Sequence, residues 1–460
     1  MNKNTRLFPS SLQNLSIFLA GVILLLSASC NQNTTSGALS PLAQTPREAY
    51  WSALDSMGLA KTQIAKTWQL AETRALRDGI LVEAPFQETG YFRSDVPAAL
   101  AYRLKLKTGE LLQIKLSTEP DSTLFFVDFF RIEPTDSIPY FQHLFNAENY
   151  QTDSLAYEVH KNGTYLLRIQ PELLASCRYN LQLIAQPIYS TFPVSGKGNQ
   201  DIWSFFGDPR DGGKRKHKGI DIFARRGTPL VAATDGEIRR VKNGGLGGKQ
   251  IWLYDSHRRQ SLYYAHLDSQ MVKENQRVKA GDTLGTVGNT GNARNTRPHL
   301  HFSVYKRRQG AVDPFPFVAY QKQKAPSVRA DTSRLGQIAR VRRQDTSLKA
   351  APQNRSATIA TLNRHLPLQI IAASSYWYRV RSPDGISGYL HTKSLEGINR
   401  SIGTITLTEA TELLQSPDSK ASPVSSVQPN EEVAVVGKNE SYQLIRDQDG
   451  EIGWMPIRAR

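Results

Sequence analysis

The chain has 460 residues, a net charge of +16 and only two cysteines, Cys30 and Cys177. Its length suggests roughly three or four domains. Net positive charge attracts polyanions. Nucleic acid is a poor partner for a chain that opens with an export signal, so anionic wall or membrane components are the more plausible partners, with a merely solvated surface as the commoner explanation of scattered lysines and arginines.

Residues 1–30 read as that signal. Lys3 and Arg6 give a basic start, and Leu15 to Leu26 supply an apolar core of about a dozen residues. The core is too short to span a membrane, so the segment is expected to be removed. Leu26-Ser27-Ala28-Ser29-Cys30 resembles a bacterial lipoprotein box with Cys30 as the lipidated residue, although Ser27 stands where an aliphatic residue is usual. The resemblance implies an envelope protein anchored to the membrane through Cys30, facing the periplasm or the exterior, with simple secretion as the alternative. Residues 31–44, polar from Asn31 to Gly37, read as a flexible tether. With Cys30 lipidated, Cys177 has no disulfide partner and reads as a small buried apolar residue.

Thr45-Pro46-Arg47-Glu48 is a capping-box start with proline at the first helical position. A helix to about Met57, stopped by Gly58, and a second to about Arg77 predict a helical hairpin over 45–79. From Ile80 the hydrophobic period changes to two. Tyr102, Leu104 and Leu106 alternate with charged residues, a Thr108-Gly109 turn follows, and Leu112, Ile114 and Leu116 alternate again. Thr164 to Ile169 and Tyr179 to Ile184 behave alike, predicting an antiparallel β-sandwich over 80–188. It weakly resembles the prepeptidase C-terminal-like domains found beside secreted proteases, and its plain role is a spacer or wall-binding module.

The chemistry gathers in two short runs, His217-Lys218-Gly219-Ile220-Asp221 and His299-Leu300-His301. In a strand, residues two apart share a face, so His299 and His301 reach one cleft together. Either run alone is common; paired, they have the spacing of a zinc site that keeps a coordination position open for water. His266, in Tyr263-Tyr264-Ala265-His266-Leu267, lies between them. That leaves more imidazoles than a three-ligand site needs, and the spare ones suit acid/base work. Gly244-Gly245-Leu246-Gly247-Gly248 and Gly288-Asn289-Thr290-Gly291 read as turns requiring positive φ that also let an extended peptide lie close to the backbone.

Residues 190–320 resemble the lysostaphin/LytM-type zinc endopeptidases of family M23. The likeness extends to Phe206-Gly207, Gly227-Thr228-Pro229-Leu230, Ala233-Thr234-Asp235-Gly236, Val278-Lys279-Ala280-Gly281-Asp282 and Pro298-His299-Leu300-His301-Phe302. It implies that His217, Asp221 and His301 hold one zinc ion and that His266 and His299 are the catalytic histidines. Such a centre lowers the pKa of bound water to about 7 and polarises the scissile carbonyl. Ligation needs His217 and His301 neutral, so activity should fall in acid. Two departures, the Ala293-Arg294-Asn295-Thr296-Arg297 loop and Ser303 in place of a frequent glutamate, are expected to bear on substrate preference rather than on the ligands.

A polar stretch over 321–337 reads as a linker. Beyond it, Tyr376-Trp377-Tyr378-Arg379-Val380-Arg381 with Asp384-Gly385-Ile386-Ser387-Gly388-Tyr389 recurs as Ser441-Tyr442-Gln443-Leu444-Ile445-Arg446 with Asp449-Gly450-Glu451-Ile452-Gly453-Trp454. Leu348 and Pro352 find counterparts in Leu414 and Pro417. The Asp-Gly-x-x-Gly-aromatic pattern resembles bacterial SH3-like domains, implying small barrels over 338–398 and 402–460. Trp377, Tyr389 and Trp454 are expected in their cores rather than in a ligand groove.

The fold class expected is therefore mainly β and multidomain. The leading function is an exported zinc endopeptidase acting on peptide cross-links of peptidoglycan. The alternatives are a non-catalytic LytM-type regulator of a wall amidase and a wall-binding scaffold. Part of residues 40–200 could also cover the zinc cleft and keep the enzyme latent.

Overall fold

A computed structural model of the chain describes residues 44–133, 139–148, 155–320 and 324–457. The export signal, Cys30, the tether up to residue 43 and part of the linker lie outside the described residues. The described chain is mainly β, and no helix in it is long and apolar enough to cross a membrane.

Two helices open it, α1 (Pro46–Ser56) and α2 (Gln63–Asp78). Between them Gly58 takes φ 76°, a left-handed turn that glycine adopts without strain. Thr62 caps α2 by accepting from the Ala65 amide. The buried face of α2 is Ala65, Trp68, Ala71 and Ala75, one stripe at helical spacing. Trp68 Nε1 donates to the Pro171 carbonyl at 2.8 Å, and Gln170 returns a bond to the Trp68 carbonyl at 2.8 Å. Arg47, Glu72, Asp128 and Arg168 close the same contact as a buried ion-pair cluster.

The sandwich follows. One of its sheets runs in the order Ile80–Leu81, Leu100–Leu106, Gly163–Pro171, Phe125–Glu133, Tyr140–Glu148. The other, Phe86–Phe92, Cys177–Pro187, Glu110–Glu119, Leu155–Glu158, does not end at Phe86–Phe92. That strand pairs with Pro367–Ser374, Thr89 opposite Ala373 and Gly90 opposite Ala372, so the sandwich and the first C-terminal repeat share one continuous sheet. Glu88, fully buried at this junction, accepts from the hydroxyls of Tyr102 (2.6 Å), Tyr179 (2.8 Å) and Tyr389 (2.6 Å). Arg379 lies 3.6 Å away. Burial, with the Glu88 charge added to it, pushes the three phenols well above their usual range.

Residues 321–337 were expected to form a polar linker, yet Ala330 and Leu335 enter the core of the first repeat, and the Arg329 and Ala330 amides bond the Ser375 carbonyl. The two repeats match in detail. Gly385 and Gly450 each take φ 89° in the turn after the aspartate. Tyr389 is fully buried and Trp454 is 7% exposed, while Trp377 is half-buried. The pairing of Leu348 with Leu414 is one residue out. Lys349 stands opposite Tyr389 and Leu414 opposite Trp454, so the buried counterpart of Leu348 is Leu413, the residue before a bulge in each repeat.

Between sandwich and linker lies an eight-stranded sheet in the order Ile202–Ser204, Ile220–Phe223, His299–Lys306, Gln260–Ala265, Lys249–Asp255, Gly236–Asn243, Arg277–Val278, with Gly310–Val312 also on His299–Lys306. A three-stranded sheet, Pro229–Val231, Thr283–Val287 and Leu267–Gln270, packs with it around one apolar core. The sandwich docks on one end of this unit. Arg258 reaches Glu158 at 3.0 Å, and the Ile188 amide at the end of the sandwich donates to the Gly109 carbonyl beside Phe317. Gly109 has no room for a side chain, since a Cβ there would lie 2.2 Å from the Phe317 ring. Arg258 sits in the turn just before Gln260, which pairs with Lys306; His301 is at the other end of that pairing, opposite Ala265.

Candidate metal centre and active site

Three chain segments deliver the site to the free end of the eight-stranded sheet. Antiparallel register sets Asp221 opposite His301 and Phe223 opposite His299. Ala265 stands opposite His301 on the other flank, so His266 leaves its strand at the same level. His217 comes from the short hairpin Pro209–Arg210 with Arg215–Lys216. Strand alternation sends Leu300 to the core and His299 and His301 to the opposite face.

All the histidines and the aspartate singled out by spacing meet in this cleft. His217 Nε2 lies 2.9 Å from His301 Nδ1 and 3.0 Å from Asp221 Oδ1, and His301 Nδ1 lies 2.9 Å from the same oxygen. His217 gives its Nδ1 proton to the Phe205 carbonyl at 2.8 Å, so its Nε2 presents a lone pair. Ser303 Oγ, 2.9 Å from His301 Nε2, can take the proton there and leave Nδ1 as an acceptor. Two imidazole lone pairs and a carboxylate at this separation need a shared positive charge, a proton or a metal ion, and the donor set suits zinc. Burial pushes the Asp221 carboxyl up, but hydrogen bonds from His217 and His301, which need a proton on those ring nitrogens, outweigh that and hold it well below the usual carboxylate range.

His266 and His299 stand beside this triad. Their rings are 5.1 Å apart, and His299 Nε2 is 4.0 Å from Asp221 Oδ1. Each has its Nδ1 proton engaged by a backbone carbonyl, that of Thr290 at 2.9 Å for His266 and that of Arg297 at 2.8 Å for His299. Both therefore turn a free Nε2 inward. Burial, reinforced by the neighbouring His299 and His301, lowers the His266 pKa to about 4. His266 also has φ 67°, a left-handed conformation unusual for a non-glycine residue and typical of strained functional positions. Its amide donates to the Gly247 carbonyl at 2.9 Å, which helps hold that geometry. The two glycine segments pack backbone to backbone here. A Cβ on Gly291 would lie 2.3 Å from the Leu246 carbonyl oxygen, and one on Gly288 would lie 2.4 Å from the Asp268 amide. Gly288 is thus required by close approach, and not by positive φ as the turn reading supposed.

Ser303 stands in contact with His301. It was expected to bear on substrate preference without touching a ligand, but it is fully buried against His301. Its signal was present, because 299, 301 and 303 share one strand face. Arg210 was missed altogether: its guanidinium donates to Asp221 Oδ2 at 2.9 Å and also to Ser204 Oγ. Phe223 and Trp203 were missed too. Phe223 stacks on the His299 ring at 5.0 Å, and Trp203 stacks on Phe223 at 4.8 Å.

Fold and site together define a multidomain β protein whose central domain carries a candidate metal centre. Residues 215–314 match the profile of Peptidase family M23, and residues 347–397 that of the bacterial SH3 domain. These segments are an M23 domain and a bacterial SH3 domain. An L-Ala--D-Glu endopeptidase of Bacillus subtilis is 33% identical over 150 residues, 29% of this chain and 46% of that protein. The glycyl-glycine endopeptidase ALE-1 of Staphylococcus capitis is 39% identical over 107 residues, 22% of this chain and 29% of that protein. The chain thus spans less than half the length of either. The solved catalytic domain of lysostaphin from Staphylococcus simulans is 34% identical, covering 25% of this chain and 89% of that one, with a TM-score of 0.23.

Proposed function

We propose that the chain is an exported, zinc-dependent endopeptidase that hydrolyses peptide cross-links of bacterial peptidoglycan. His217, Asp221 and His301 hold the metal, and His266 and His299 move protons beside it. The reading is carried by one observation: three ligand atoms converge within 3.0 Å while two further imidazoles, each locked by a backbone carbonyl, aim Nε2 into the same cleft. When bound, zinc supplies the Lewis acidity that activates water and polarises a peptide carbonyl. One of His266 and His299 takes a proton from the attacking water, and the other hands one to the leaving amine. The one acting as base must be the neutral imidazole with a bare Nε2, the one acting as acid the imidazolium with Nε2 protonated, and the fixed Nδ1–H bonds keep both rings aimed throughout. The named activities of the M23 relatives, cleavage at L-Ala–D-Glu and at glycyl-glycine, support a peptide of the wall as substrate. The SH3 domain would hold the enzyme on that polymer, and lipidation of Cys30 would hold it at the membrane.

The test is mass spectrometry of muropeptides released from purified sacculi by the full chain. Loss of cross-linked dimers with zinc, abolished by chelator, is the expected result. Dimers that persist with the zinc-loaded protein would overturn the proposal and favour a regulatory role.

A further inference from the structure

We infer that Arg297 and Trp203 form a subsite that selects peptides bearing a carboxylate over neutral ones, a reading that rests on the proposed peptidase function and refines its substrate. The cleft has an aromatic wall. Trp203, 57% exposed, stacks on Phe223 at 4.8 Å, and Phe223 stacks on His299 at 5.0 Å. Arg297 closes this row into a ring. Its guanidinium lies over the Trp203 face, 5.9 Å from the centroid, while its carbonyl accepts the Nδ1 proton of His299. The row places Trp203 roughly 10 Å from His299, about three residues along an extended peptide. A side chain that far from the bond being cut would meet the indole and the guanidinium together.

The charge on this wall is not spent inside the protein. Arg210 is paired with Asp221, Arg215 with Asp211, and Arg226 with Asp268. Among the described residues Arg297 and Arg294, both exposed, have no carboxylate within ion-pair distance. Exposed Lys216 and Lys218 flank His217 and add to the same sign. An unpaired guanidinium resting on an indole is pre-organised for a bidentate carboxylate, and its planar fork loses little freedom on binding. A bridge made only of glycine offers neither a carboxylate for Arg297 nor a side chain for the Trp203 face. The occupant is therefore an acidic stem peptide.

The test uses the full chain and two probes, a cross-linked stem peptide with free carboxylates and the same peptide with them amidated. The expected ratio of kcat/KM, acid over amide, is about ten at low salt, the size of one charge-assisted hydrogen bond. Arg297→Gln brings that ratio close to one, Arg297→Lys keeps part of it, and raising salt erodes it in the unaltered protein. These substitutions leave the carbonyl that holds His299 in place, so a collapse of the ratio reports the side chain rather than the catalytic geometry. A ratio that stays near ten in Arg297→Gln overturns the subsite. If neither probe is cut, the peptidase reading fails, and the subsite is decided by fluorescence anisotropy of the labelled peptides. Tighter binding of the acid form, lost in Arg297→Gln, supports it; equal binding of both forms overturns it.

Discussion

Each imidazole of the site has one ring nitrogen committed to a fixed neighbour, and those neighbours decide what the other nitrogen can do. Backbone carbonyls fix His217, His266 and His299, so no single substitution at the partner removes them. His301 alone depends on a side chain, Ser303. Partners of this kind orient a ligand and tune its basicity. Ser303→Ala should therefore weaken zinc binding by about 10–100-fold with the fold intact. Competition against a chelator measures this, and an unchanged affinity would contradict the role assigned to Ser303. The histidines and Asp221 were legible because strand period and spacing encode them locally. Arg210 and the Phe223–Trp203 row were not, since each acts through a neighbour that only the folded sheet supplies.

At the level of elements the informative feature is the strand Phe86–Phe92. Its middle, Glu88-Thr89-Gly90, places a carboxylate where a core residue belongs. Three tyrosine hydroxyls from strands of both the sandwich and the first repeat satisfy it. Removing one member of a buried charged group leaves the rest uncompensated, which costs about 3–5 kcal/mol. Glu88→Ala is expected to destabilise sandwich and first repeat together by that amount, and Tyr389→Phe by about 1–3 kcal/mol. Trp68 fluorescence reports the sandwich and Trp377 the repeat. Single-tryptophan variants of the full chain should show both signals lost at one denaturant concentration, whereas two separated transitions would refute the shared sheet. The alternation of Tyr102, Leu104 and Leu106 announced the strands. Nothing local announced that Thr89 pairs with Ala373, because hydrogen bonds between distant edges leave no pattern in either segment.

Across the whole molecule the sandwich docks at the Arg258 and Phe317 end of the peptidase sheet, and the histidines lie at the other end of the same strands. The contacts between sandwich and peptidase sheet described above fall away from the cleft. In the central segment the glycine turns and the His and Asp positions were legible because they carry local spacing, whereas Arg210, the Phe223–Trp203 row and the Ser303 contact were not. The C-terminal repeat was legible in its Asp-Gly turns and off by one residue at Leu348, where a bulge breaks the period. The proposed division of labour among the cleft residues is tested by measuring zinc content and sacculus hydrolysis on the same samples. The unaltered chain should hold one zinc and cut; His301→Ala should lose both. His299→Ala should keep its zinc and lose hydrolysis; a variant that still cut, or that lost the metal, would contradict that division.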